Sequence, residues 1–215
     1  MKILELFSGT HSIAKAFPDD EVISVDIDNH FKPTHNISIF DFDYKQYNHF
    51  DYIHASPPCL FYSTMNNCWY NRRRKINGEF KIFTKELHKQ LVEDVSDKLV
   101  SKALEIIEYF KPEYWTMENP YSNSQYSLKN RDIVKHLDYT ITDYCMYGHC
   151  IKKPTMFFNN FGLELKRCDK NHTHVNWGYF CDNGNPKTNY GGKRRIYDRY
   201  VIPHELCVEI KNQIK

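Results

Sequence analysis

Residues 51–59 read DYIHASPPC, a short apolar run that ends in two prolines and a cysteine. The run 52–55 predicts a buried β-strand. Because Pro57 and Pro58 can neither continue a β-ladder nor enter a helix interior, the chain has to leave the sheet here. Ligands and chemistry collect at the carboxyl edge of open α/β sheets. Cys59 therefore places a thiol, the best neutral-pH nucleophile among side chains, at that edge. Taken alone, such a cysteine is more often a small, inert apolar side chain.

The segments on either side of this run alternate between strand and helix patterns. Strand patterns lie at 2–7, 22–25, 37–42, 52–55, 114–117, 140–146 and 155–159, and helical patterns lie at 13–17, 86–110, 131–137 and 203–214. This alternation is typical of an α/β fold with a mostly parallel sheet and helices on both of its faces. The length of 215 residues favours a single domain over 1–215.

Composition and charge exclude several classes of protein. Seven cysteines without a signal-peptide pattern predict a reducing, intracellular location, and no apolar stretch is long enough to cross a membrane. A net charge of +2 does not by itself indicate nucleic acid, but the basic runs 72–75 and 193–195 are candidate phosphate contacts. Such runs are more often solvated surface. We expect a monomer.

Polar residues follow three of the predicted strands. Ser8, Gly9 and Thr10 join the first strand to a helix, and this kind of turn offers backbone N–H groups to a polar or anionic cofactor. Asp26 ends the second strand, where an acid can bind ribose hydroxyls. Glu118 follows the strand at 114–117. The alternatives are an ordinary connection for the glycine turn and turn or cap residues for the acids.

Two segments do not fit the alternation. The segment 60–83 is polar, aromatic and basic without a sustained period, and its place after Cys59 predicts a closing catalytic loop at about 60–85. The alternation of strands and helices also breaks over the segment 165–197. This segment contains the ligand types of a structural zinc site, Cys168, His172, His174 and Cys181, although it has no CxxC pair. A polar surface insertion is the alternative.

Taken together, these segments resemble the DNA cytosine-5 methyltransferases, in particular the short versions of phages and large DNA viruses. The matching motifs lie in the right order at 4–9, 56–59, 118–120 and 152–155, with Asp26 at the ribose-binding acid. The resemblance implies a Rossmann-like methyltransferase fold that depends on S-adenosyl-L-methionine (AdoMet). It also implies methyl transfer to C5 of cytosine in DNA, through a covalent cysteine adduct on a flipped base. The large target-recognition domain of bacterial members would be reduced to a small recognition insertion at about 165–197.

The resemblance assigns roles to individual residues. The catalytic set is Cys59 as nucleophile and Glu118 as the support of the base, with Pro58, Asn119 and Lys153. The cofactor-binding set is Phe7, Ser8, Gly9, Thr10, Asp26, Ile27, Ser38, Ile39 and Pro57. The nucleic-acid set is Ser63, Arg72, Arg73, Arg74, Lys152 and Thr155.

The chain also departs from the family pattern. His11 and Ser12 stand where a second glycine-rich position is expected, and Ser38 stands where the third strand usually carries an acid. No arginine pair lies near Lys152, so Lys152 or Lys153 would hold the cytosine O2. Two alternatives remain open: a catalytically impaired subunit that binds nucleic acid, and the same chemistry on RNA.

Overall fold

The computed structural model describes residues 1–174 and 200–214. Its main sheet contains β1 (Lys2–Leu6), β2 (Glu21–Asp26), β3 (His35–Asn36), β4 (Tyr52–Ala55), β7 (Tyr114–Pro120), β8 (Tyr139–Asp143) and β9 (Pro154–Asn159). A separate hairpin contains β5 (Arg73–Ile76) and β6 (Glu79–Ile82). The helices are α1 (Ser12–Ala16), α2 (Lys85–Leu91), α3 (Asp97–Phe110) and α4 (His204–Gln213).

The strand order of the main sheet is β3-β2-β1-β4-β7-β9-β8. The first five strands are parallel, and β9 is antiparallel to both of its neighbours. Side chains alternate between the faces, so that Leu4 and Leu6 join the core beneath α3 while Ile3 joins the core with α1 and α4. The predicted Rossmann-like α/β fold, with helices on both faces, is confirmed. No helix in residues 1–174 or 200–214 is long and apolar enough to span a membrane.

The third strand is displaced from its predicted position. It covers only His35–Asn36, and the strand predicted at 37–42 is wrong. The Ser38 carbonyl accepts a hydrogen bond from the Asp41 N–H at 3.0 Å, and the Ser38 hydroxyl accepts one from the Phe40 N–H at 3.3 Å. These bonds close a turn, so the backbone is no longer available to a ladder.

The predicted helix at 131–137 is also wrong. Successive tight turns replace it, with the Val134 N–H donating to the Arg131 carbonyl at 3.1 Å and the Leu137 N–H to the Val134 carbonyl at 2.9 Å. Both bonds join residues three apart, whereas an α-helix needs each N–H to donate to the carbonyl four residues before it. Val134 is buried within these turns. Likewise β8 ends at Asp143, because Tyr144–Tyr147 form a 3₁₀ turn where the strand was predicted to continue to 146.

The segment 60–83 is more regular than its sequence indicated. It contains a 3₁₀ helix (Thr64–Trp69) and then the β5–β6 hairpin. Asn77 and Gly78 form the turn with φ angles of 51° and 87°. Asn-Gly is the strongest short-range hairpin signal, and the sequence interpretation missed it. Arg73 and Arg74 therefore lie on a strand, which corrects the expectation that they lie in a loop.

The long helix predicted at 86–110 is present but contains a wide π turn (Val92–Ser96) between α2 and α3. A π turn adds one residue to the helix and shifts the buried positions along the sequence. The apolar period of residues 86–110 predicts Leu87 on the buried face, whereas the side chain buried there is His88. The buried residues of the whole element are His88, Leu91, Val92, Ser96, Val100, Ala103, Ile106 and Ile107.

Candidate active site

Three ionisable groups lie together at the carboxyl edge of the sheet. Cys59 follows β4, Glu118 lies near the end of the neighbouring strand β7, and Lys153 directly precedes β9. Because β9 is antiparallel to β7, with Pro120 paired to Thr155, its first residues lie beside the last residues of β7. The charges of Glu118 and Lys153 both act on the pKa of Cys59. The structure thus brings these three predicted catalytic residues together.

Asn119 joins the exit of β4 to β7. Its Nδ2 donates a hydrogen bond to the Pro57 carbonyl oxygen at 2.9 Å, and its side chain is completely buried. Its Oδ1 has no hydrogen-bond partner among the described residues. This hydrogen bond fixes the position of the turn that carries Pro58 and Cys59 relative to Glu118, the residue before Asn119 on β7.

Glu118 lies in an environment that favours its neutral form. Burial raises the pKa of this carboxyl group, while the charge of Lys153 and the hydrogen bond from Tyr144 oppose the shift. The Tyr144 hydroxyl donates to Glu118 Oε1 at 2.9 Å. Tyr144 was missed by sequence reasoning, because nothing in its local pattern indicates a neighbour on β7.

Lys153 is a buried cation beside both candidate catalytic groups. Burial lowers the pKa of its ammonium group, and the negative charges of Glu118 and Cys59 oppose that shift. Its Nζ lies 4.4 Å from the centroid of the Tyr144 ring. The side chain of Lys152 forms an ion pair with Asp143 instead, with its Nζ 4.0 Å from Asp143 Oδ1. Of the two lysines predicted as alternatives, Lys153 is the one in the site.

The thiol of Cys59 is not activated by its surroundings alone. Burial raises the pKa of Cys59, the charge of Glu118 raises it further, and the charge of Lys153 lowers it. A thiolate is the nucleophilic form, so Lys153 and a neutral Glu118 both favour reactivity. The protonation states of the three groups are therefore linked.

A buried polar network lies beneath this turn. His54 Nε2 lies 2.8 Å from the Ser56 hydroxyl and His54 Nδ1 lies 2.7 Å from the Thr116 hydroxyl. Burial lowers the pKa of His54 to about 3, so the ring is neutral. The Tyr52 hydroxyl also lies 3.5 Å from Nδ1. The network fixes Ser56, the residue that begins the double-proline turn. A histidine inside an apolar strand was the available signal, and it was not used.

The candidate cofactor edge is built by β1 and β2. The Gly9 N–H donates to Asp26 Oδ2 at 2.8 Å, and the Asp28 N–H donates to Asp26 Oδ1 at 2.8 Å. The Ser8 N–H donates to the Val25 carbonyl at 3.1 Å. Gly9 has a φ of +44°, in the region that favours glycine. The predicted residues of the glycine turn and Asp26 therefore lie together.

This edge fits AdoMet in its polar and apolar features. The Ser8 hydroxyl is buried and has no hydrogen-bond partner among residues 1–174 and 200–214, so it is free to bind a polar group. Ile27, which follows Asp26 in the chain, is 75% exposed and offers an apolar side chain at this edge. Phe7 and Ser38 are half-buried. Ile39 is buried in the core and can offer only its backbone.

His11 replaces an expected glycine and adopts a left-handed conformation with φ 56°. The Phe31 carbonyl, which can only accept, lies 2.6 Å from His11 Nε2, so this nitrogen carries a proton. His11 Nδ1 lies 3.7 Å from Oε2 of the buried Glu5, whose Oε1 accepts from the Ile13 N–H at 3.0 Å. Glu5 raises the pKa of His11. Sequence reasoning missed this pair.

The predicted nucleic-acid residues differ in their surroundings. Arg72 and Arg73 are exposed, whereas Arg74 donates to Asn66 Oδ1 at 2.5 Å and its guanidinium lies 5.0 Å from the Phe83 ring centroid. Ser63 accepts a hydrogen bond from the Met65 N–H at 3.2 Å. Thr155 is completely buried on β9, and its hydroxyl donates to the Lys153 carbonyl. Arg72 and Arg73 are thus the exposed cations of this set.

The predicted metal ligands are only partly within the described chain. Cys168, His172 and His174 lie together, and Cys181 lies outside the described residues. Cys145, which the sequence interpretation did not include, completes a group of four.

Comparison with known proteins supports the resemblance read from the motifs. A protein of Frog virus 3 (isolate Goorha) named "Probable DNA (cytosine-5)-methyltransferase" is 27% identical over 228 residues, which cover 98% of each chain. The resemblance to the DNA cytosine-5 methyltransferases is confirmed. The name of this relative agrees with the activity that the motifs predict for the chain. No family model matches the chain.

Three solved structures are similar to parts of the chain. A DNA modification methyltransferase encoded within an E. coli prophage has a TM-score of 0.47 and 16% identity over 81% of this chain. The S. pombe Dnmt2 methyltransferase has a TM-score of 0.43 and 15% identity over 74%. The Entamoeba histolytica methyltransferase EhMeth has a TM-score of 0.47 and 15% identity over 87%. The matches cover only 51%, 48% and 61% of those proteins.

Proposed function

We propose that the chain transfers a methyl group from AdoMet to C5 of cytosine in DNA, through a covalent adduct between Cys59 and a flipped base. The observation that carries this proposal is the buried group of Cys59, Glu118 and Lys153 at the ends of β4 and β7. Addition to a cytosine ring requires a thiol as nucleophile, a carboxyl group as proton donor and a cation that stabilises negative charge.

The addition step uses each of these groups. Cys59 loses its proton and its sulfur bonds to C6, which pushes electron density from the C5–C6 double bond onto C5. Glu118 supports N3 of the ring, and its raised pKa keeps a proton available as charge develops there. Lys153 stabilises the thiolate before addition, and its position also suits the cytosine O2. Solvent water accepts the proton that Cys59 loses. After C5 is methylated, solvent water also takes the C5 proton, the C5–C6 double bond forms again, and the C6–S bond breaks to release the Cys59 thiolate.

The edge formed by β1 and β2 would hold the cofactor. The backbone from Phe7 to Thr10 would bind the amino-acid end, Asp26 would bind the ribose, and Ile27 would pack against the adenine. Ser38, Ile39 and Pro57 would complete this site. When bound, AdoMet supplies the electrophilic methyl group.

The nucleic acid would bind across the segment that follows Cys59. An open cleft of about 570 Å³ separates Thr64 and Tyr70 of this segment from Asn123 and Tyr126, which follow β7. Arg72 and Arg73 are exposed nearby on the same segment and suit phosphate groups. Flipping a base out of a duplex costs a few kcal/mol, and phosphate contacts offset this cost.

The test is trapping of the covalent adduct. A DNA oligonucleotide with 5-fluorocytosine cannot lose its C5 substituent after methylation, so the adduct should persist in denaturing electrophoresis when AdoMet is present. Cys59→Ser should abolish the adduct, while Cys150→Ser, which changes an exposed cysteine outside the site, should retain it.

An RNA oligonucleotide with the same substitution provides the second arm of the experiment. An adduct on RNA alone would move the substrate from DNA to RNA. Absence of an adduct on both nucleic acids would refute the catalytic proposal and favour a binding subunit.

A further inference from the structure

A second group of chemically active side chains lies outside the proposed active site. Cys145 belongs to the 3₁₀ turn after β8, and Cys168, His172 and His174 belong to the segment that starts the predicted insertion. One ligand atom from each residue lies within 4.8 Å of all the others. We propose that Cys145, Cys168, His172 and His174 bind one structural zinc ion.

The distances suit a single tetrahedral ion. Cys168 Sγ lies 3.9 Å from His172 Nε2 and 3.4 Å from His174 Nε2. With Zn–S near 2.3 Å and Zn–N near 2.05 Å, tetrahedral angles give a sulfur-to-nitrogen distance of about 3.6 Å. The observed separations bracket this value. Two sulfur and two nitrogen ligands select zinc over magnesium or calcium, which prefer oxygen.

The ligands are oriented by neighbours of the kind that zinc sites have. The Lys170 N–H donates to Cys168 Sγ at 3.4 Å, and such a bond favours the thiolate form. Asp169 Oδ1 lies 3.7 Å from His172 Nδ1, so a carboxylate faces the ring nitrogen opposite the ligand atom. The carboxylate of Asp143 anchors Cys168 by accepting from its backbone N–H at 3.0 Å.

The proposed ion has a defined structural task. It connects the segment 168–174 to the turn that begins with Tyr144, the residue that donates to Glu118. The segment packs little apolar surface, because all four residues 170–173 are exposed. A metal cross-link can supply the stability that burial does not.

The test measures zinc in the full chain purified from zinc-supplemented culture without chelator. Elemental analysis should give one zinc per chain. Cys145→Ser and Cys168→Ser should each lose the metal, and Cys150→Ser, an exposed cysteine five residues from Cys145, should keep it. Cys181→Ser should keep it as well. Loss of zinc from Cys181→Ser but not from Cys145→Ser would overturn the proposed ligand set.

A second measurement does not depend on the folding of the variants. Metal-free wild-type protein titrated with Co²⁺ should develop the intense visible bands of a tetrahedral site and a sulfur-to-cobalt charge-transfer band, saturating at one equivalent. Bands of a six-coordinate ion, substoichiometric zinc in the wild type, or a disulfide between Cys145 and Cys168 found by mass spectrometry would each refute the proposal.

Discussion

The hydroxyl group of Tyr144 donates a hydrogen bond to Glu118 Oε1 at 2.9 Å, and both side chains are buried. Tyr144 directly follows β8, and Glu118 lies on β7. In the sheet, β9 lies between these two strands. A hydroxyl donor favours an ionised carboxylate, so this bond lowers the pKa of Glu118 while burial raises it. The balance between these effects decides how readily Glu118 holds a proton.

Replacing Tyr144 should therefore change the pH dependence of methylation. In Tyr144→Phe the pKa of Glu118 rises, because the donor is lost while burial remains. If Glu118 acts as a proton donor, the decline of kcat/KM at high pH should move to higher pH. We also expect kcat to fall about tenfold, because the reacting carboxyl group loses one hydrogen bond. Tyr147→Phe is the control, since Tyr147 donates to Glu209. Identical pH profiles for Tyr144→Phe and wild type would contradict this role.

Asp26→Ala should weaken AdoMet binding. The substitution removes the proposed ribose contact and also the acceptor of the Gly9 N–H, so we expect a loss of at least about tenfold in affinity, measured by calorimetry. Asp28→Ala is a matched control, because the Asp28 carboxylate accepts from the His30 N–H instead. Unchanged affinity in Asp26→Ala would place the cofactor elsewhere.

Arg72 and Arg73 should contribute to DNA binding, whereas Arg74 should contribute to the stability of the fold. Replacing Arg72 and Arg73 by glutamine should weaken binding to all DNA sequences alike and reduce the salt dependence by about two phosphate contacts. Arg74→Gln should mainly lower the thermal midpoint, because it removes a guanidinium packed near the Phe61, Trp69 and Phe83 rings. Binding over a series of salt concentrations tests this division. A changed sequence preference in the double variant would show that these residues read bases.

His11→Ala should destabilise the protein more in acid than in base. Glu5 raises the pKa of His11, so the stabilising contribution is fully present below the unfolded value near 6.5 and is lost as the pH rises through the folded value. Urea unfolding at pH 5.5 and 8.5 should show a larger loss at pH 5.5, by about 1 kcal/mol. The exposed His136→Ala provides the control. Equal losses at both pH values would contradict the charged pair.

Much of the sheet could be predicted from the sequence, since β1, β2, β4, β7 and β9 are short, mostly apolar segments followed by polar or turn residues. The two-residue strand β3 could not, because hydrogen bonds of Ser38, and not an apolar pattern, decide where it ends.

The candidate site shows the same division. Cys59 and Glu118 belong to short motifs, whereas Tyr144, His54 and Cys145 reach their partners only through strand pairing and packing. No local spacing reports such contacts.

The π turn between α2 and α3 sets the direction in which the side chain of His88 points, and His88 contacts the segment that follows Cys59. His88 Nε2 lies 2.7 Å from the Phe61 carbonyl, and its Nδ1 lies 2.7 Å from the Tyr70 hydroxyl, so α2 holds the segment after Cys59 at two points. Each helical residue advances the side-chain direction by about 100°. A chain one residue shorter within 92–96 could keep α3 packed on the sheet, yet it would rotate His88 away from both partners. A single-codon deletion far from Cys59 in sequence would thus release the loop beside it.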